Sequence, residues 1–99
     1  MNAYSQTMVK KQVMILSERY VVQILLDLLD ADDKVKISDF LTLISGFQVL
    51  DALTDRMVSE GLVLKFPGRD VRLATFLELT PKGREVASKL KDAMRSLEK

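Results

Sequence analysis

The sequence predicts a mostly helical α+β domain in which three helices are followed by a β-hairpin and a closing helix. Three observations carry this. Apolar residues recur at helical spacing from Tyr20 to Leu29 and again from Leu50 to Met57. After Gly61 the period changes to two, and Pro67–Gly68 interrupts the alternation as a turn would. Thr80–Pro81 then opens a helix, with Thr as N-cap and Pro at the first helical position.

The first helix is expected from Ser17, an N-cap residue flanked by Leu16 and Val21 at the positions of a hydrophobic staple. Its buried face is Tyr20, Val21, Ile24, Leu25, Leu28 and Leu29, and it ends in the polar run from Asp30 to Lys34. A second, short helix is expected near Ser38–Leu43, with Ile37, Phe40, Leu41 and Ile44 as apolar contacts. Ser45–Gly46–Phe47–Gln48 fits a capping box, and Ile44 and Val49 stand at staple positions around it. Leu50, Leu53 and Met57 then line one face of the third helix. Gly61 ends it as a left-handed residue would, which lets Leu62 fold back on Met57.

In the hairpin, Leu62, Leu64 and Phe66 alternate with Val63 and Lys65. Beyond the turn, Val71, Leu73, Leu77 and Leu79 alternate with Arg72, Ala74, Phe76 and Glu78. With residues 67–70 as the loop, Phe66 faces Val71, Lys65 faces Arg72 and Leu64 faces Leu73. The last helix carries Val86, Leu90, Ala93, Met94 and Leu97 in steps of four, three and four, a narrow seam of coiled-coil type.

Composition narrows the function classes. With 99 residues, 47% hydrophobic and 29% charged, the chain reads as one soluble globular domain: an N-terminal segment 1–16, a core of about 17–80 and a last helix of about 81–98. No apolar run approaches the roughly 18 residues of a membrane span, and Met1 to Lys11 is too polar for a signal peptide, so a cytoplasmic location is expected. The chain has no cysteine and no histidine, which removes thiolate metal sites and the commonest general base. None of the four glycines lies in a phosphate-cradling loop. Asp30, Asp32 and Asp33 lack the glycine and closing Glu of an EF-hand, and a solvated loop explains them equally well. We expect neither enzyme activity nor a cofactor.

The overall charge of +1 hides an asymmetry. Residues 1–60 hold six Lys/Arg against nine Asp/Glu, whereas residues 61–99 hold nine against five. A polyanion-binding surface is therefore expected mostly in the C-terminal half.

The stretch from Ser17 to about Leu90 resembles the winged helix-turn-helix regulators of the MarR, PadR and HxlR types. The resemblance rests on Met57–Val58–Ser59–Glu60–Gly61–Leu62–Val63, similar to their L-x-x-x-G-L-V. It rests also on Leu79–Thr80–Pro81–Lys82–Gly83–Arg84, similar to the L-T-x-x-G that closes their wing. It implies a winged helix, and the apolar seam of the last helix, which extends well past the hairpin, makes that helix the expected C-terminal dimerisation helix. The resemblance also implies that the helix near Gly46–Glu60 enters the major groove of duplex DNA while the turn at Pro67–Arg72 touches its backbone or minor groove.

Lys65, Arg69 and Arg72 would then converge where a DNA backbone passes; otherwise they protect a hairpin edge. The groove helix offers Gln48, Asp51, Ala52, Thr54, Asp55, Arg56 and Ser59 outside its core positions. Asp51 and Asp55 are one turn apart, and such an acidic surface repels phosphates. Two functions stay open: a homodimeric DNA-binding transcriptional regulator, or a winged-helix module whose acidic helix meets a basic protein. Val86, Leu90, Ala93, Met94 and Leu97 are the expected dimer seam, joined by the apolar segment Met8–Leu16.

Overall fold

Tyr20 sets the entry of the first long helix. Its φ of 72° is left-handed, and it precedes helix α1, Val21–Ala31, without a side-chain cap. The expected cap at Ser17 is corrected accordingly: residues 15–17 are themselves helical, and the chain turns through Glu18–Tyr20 before α1 begins. Val21, Ile24, Leu25 and Leu28 form the buried face. Asp32, also left-handed, ends the helix with its amide on the Leu28 carbonyl. The structure, a computed structural model, describes residues 15–67 and 75–98.

A short strand that the sequence pattern did not reveal, β1 (Val35–Lys36), follows, because two residues are too few to show a period. A 3-10 helix, Ile37–Thr42, comes next and buries Ile37 and Phe40. Helix α2, Phe47–Ser59, is capped by the extended backbone of Gly46 and not by Ser45. The capping box and its staple are therefore not formed. Val49 is 63% exposed while Leu50, one residue on, takes the buried place. The end of α2 is as expected: Gly61 has φ 75°, its amide meets the Val58 carbonyl and the Leu62 amide meets that of Met57. This is the Schellman pattern, and Met57 and Leu62 are both buried.

Strands β2 (Val63–Pro67) and β3 (Thr75–Leu79) form the hairpin, and the antiparallel sheet has the order β1-β3-β2. The register differs from the expected one. Val63 pairs with Leu79, Lys65 with Leu77 and Phe66 with Phe76. Val35 also pairs with Leu77, so β3 is the central strand and its register is pinned from both sides. The change is odd in number, so with Leu77 and Leu79 of β3 facing inward as expected, every side chain of β2 turns to the other face. Val63 and Lys65 therefore share the inner face with Leu77. Leu64 is exposed on the outer face, where Lys34 lies 4.6 Å from the centre of the Phe66 ring.

Helix α3, Pro81–Leu97, starts as the sequence predicts, the Thr80 hydroxyl accepting from the Gly83 amide at 2.9 Å. Its first half packs on the domain through buried Gly83 and Ala87 and half-buried Val86 and Leu90. Arg84 pairs with Asp32 at 2.9 Å and Lys91 with Asp30 at 3.1 Å, which ties α3 to the end of α1. These partners account for two of the three aspartates in the polar run. No helix among the described residues is long and apolar enough to cross a membrane.

Candidate nucleic-acid interface

Helix α2 owes its orientation to Leu50, Leu53 and Met57, which anchor it in the core beside the 3-10 helix and β2. Thr54, expected at the surface, is fully buried, and its hydroxyl donates to the Asp51 carbonyl at 3.0 Å. That bond satisfies the hydroxyl, so a Thr fits where a hydrophobic residue would. Gln48, Ala52, Asp55, Arg56 and Ser59 are exposed, and Asp51 is half-buried. Because Gly46 caps the helix, Gln48 is not drawn into a capping box, and its side chain makes no hydrogen bond among the described residues.

The two acidic residues of this helix have a partner. Lys65, brought to the inner face by the register of β2, donates from Nζ to Asp51 Oδ1 at 2.6 Å and to Asp55 Oδ1 at 2.7 Å. A third bond, 3.3 Å long, runs to the Asp51 carbonyl. The Lys65 side chain is only 18% exposed. Burial by itself would lower its pKa, but the hydrogen bonds and charges of the two carboxylates prevail and hold it above the usual lysine value. Nothing in the sequence links residues 51, 55 and 65 except a hairpin register that the pattern alone does not fix.

Arg56 is also engaged, its guanidinium donating to Glu18 Oε1 at 2.7 Å. Glu18, Arg19 and Tyr20 meet Ile44, Gln48, Val49, Ala52, Leu53 and Arg56 around an open, mostly apolar groove of about 500 Å³ beside α2. Glu18 and Arg19 were not singled out from the sequence, since 38 positions separate Glu18 from its partner. Arg69 and Arg72 lie outside the described residues. Of the expected seam, Val86 and Leu90 are half-buried against their own core, while Ala93, Met94 and Leu97 are exposed, Leu97 by 78%.

A helix-turn-helix beside a three-stranded sheet, with the second helix exposed along one face, decides the architecture. The chain has the winged helix-turn-helix fold shared by MarR-type regulators. By sequence, no family model and no curated protein matches it. By structure, the winged helix is similar to a transcriptional regulator homologue from Pyrococcus horikoshii OT3. That match has a TM-score of 0.69 at 23% identity and covers 88% of this chain and 90% of the other. A mutant of E. coli MarR in complex with operator DNA matches at TM-score 0.60 and 18% identity, over 78% of this chain and 56% of MarR. The heme sensor PefR from Streptococcus agalactiae, solved with heme, matches at TM-score 0.67 and 19% identity, over 95% of this chain and 73% of PefR. The proteins it resembles are thus regulators and a sensor, not enzymes.

Proposed function

We propose that this winged helix is a homodimeric, DNA-binding transcriptional regulator with α2 in the major groove and the wing cations Arg69 and Arg72 on phosphates. The observation that carries the reading is the state of α2. Its exposed side offers Gln48, a residue type that reads adenine edges, and the small Ala52, which can meet a thymine methyl. Its two carboxylates, the chief objection to groove entry, are already held by Lys65. The same pairing weakens the alternative of an acidic helix reserved for a basic protein. The MarR structure with operator DNA adds support from a protein of the same fold.

Dimerisation draws its support from α3, whose first half is used within the domain while Met94 and Leu97 project from the second. The test of the regulator reading is a titration against random-sequence duplex DNA at two salt concentrations. Binding that weakens steeply with salt is the expected result. A folded protein that shows no binding at low salt overturns it.

A further inference from the structure

One ammonium group bridges the wing strand to the acidic side of the groove helix, and its hydrogen-bonding capacity is used up. A lysine has three N–H donors. Those of Lys65 meet Asp51 Oδ1, Asp55 Oδ1 and the Asp51 carbonyl. We infer that Lys65 is a positioning residue of the DNA-binding surface: it is the internal counter-ion of Asp51 and Asp55, fixes β2 to α2, and makes no phosphate contact.

Three features of the geometry support this role. The side chain lies on the inner face of the sheet, paired with fully buried Leu77, so it points to α2 and not out from the wing. Asp51 and Asp55 stand one helical turn apart, and one cation between them offsets their mutual repulsion and cancels one of the two negative charges that a polyanion would meet. The bond also spans two elements that the DNA-binding reading uses together, the helix that enters the groove and the strand that leads to the wing. This inference rests on that reading.

Amine acylation followed by mass spectrometry tests it first. In the free protein Lys65 should react slowly, and adding duplex DNA should leave its rate unchanged. In Asp51→Asn/Asp55→Asn it should react readily, because the ammonium has lost the two negative charges that hold it protonated and in place. A Lys65 that reacts readily in the free wild type and is protected by DNA is a phosphate contact, and the inference is then wrong.

A mutant cycle on duplex affinity supplies the second arm, measured on folded variants well below their melting temperatures. Lys65→Met should weaken binding roughly five- to tenfold with an unchanged salt slope, as two carboxylates are uncovered and the wing is released. In the Asp51→Asn/Asp55→Asn background the same change should cost less than about twofold, since the tether is already gone. Equal losses in both backgrounds, with the slope reduced by about 1, overturn the inference. Absence of duplex binding by the wild type removes the regulator reading itself. Failure of the inference alone leaves wild-type binding intact.

Discussion

Gly83 lies against the carbonyl group of Leu62, so closely that a Cβ at residue 83 would overlap the oxygen and stand 2.8 Å from the carbonyl carbon. The same stretch receives Thr80, whose amide donates to the Leu62 carbonyl at 3.1 Å and whose hydroxyl donates to the Gly61 carbonyl at 2.5 Å. The two motifs that carry the sequence resemblance are therefore one joint. The helix end at Gly61–Leu62 and the helix start at Thr80–Gly83 hold each other.

Gly83→Ala measures that joint. In a free helix Ala is favoured over Gly by about 1 kcal/mol. Here the clash is with backbone, which cannot rotate away as a side chain would, and overpacking costs about 1–3 kcal/mol. The expected net result is destabilisation, seen as a lower urea midpoint. A variant as stable as the wild type would mean that the first turn of α3 can shift without loss.

The exposed half of α3 gives a second test. Met94→Glu/Leu97→Glu alters positions outside the domain core, so the monomer fold should survive. Analytical ultracentrifugation should then show monomers where the wild type is a dimer at tens of micromolar, the concentration range in which obligate dimers persist. Leu90 is a poorer target, because it also packs on its own core. A monomeric wild type would end the dimer reading.

For the wing, Arg69→Ala and Arg72→Ala should each weaken duplex binding about equally across sequences and lower the salt slope by about 1. Variants that bind as the wild type does would show these cations to be ordinary surface charges.

The Lys65 cluster predicts a specific pH dependence of stability. Its folded pKa lies above the ordinary lysine value, so the folded state favours the charged form. The stabilisation is therefore complete below the unfolded pKa of about 10.4 and is lost as pH rises through the higher folded value. Urea unfolding of wild type and Lys65→Met should differ by a constant amount from about pH 7 to 9. The difference should shrink above about pH 10.5. A gap that closes near neutrality would point to another group.

The order of elements was legible because each start and stop has a local chemical cause: Gly61 for the end of α2, and Thr80 with Pro81 for the start of α3. Less legible was anything fixed by contacts distant in sequence. Gly46 replaces Ser45 as the cap because the core selects Leu50 over Val49, a choice that neighbouring apolar residues leave undecided. The hairpin register escaped for a similar reason. Alternation is compatible with several pairings, and here β1, too short to announce itself, pins β3 at Leu77. The role of Lys65 was lost with the register, since a cation on the outer face reads as a phosphate ligand and on the inner face as a partner for Asp51.

Helix α3 also behaves as a lever. It is held at its base by Thr80 and Gly83 and along its first half by Ala87, whereas Leu97 at its tip is exposed among the described residues. Its 17 residues span about 25 Å at 1.5 Å per residue. A tilt of about 10° at the base therefore sweeps the tip through about 4 Å over that length. In the proposed dimer, with two copies joined at their tips, such a tilt would change the separation of their α2 helices, and half-sites read by a dimer of this fold lie about 34 Å apart along the duplex. A small rearrangement at the Gly83 fulcrum would thus be magnified into a change of span.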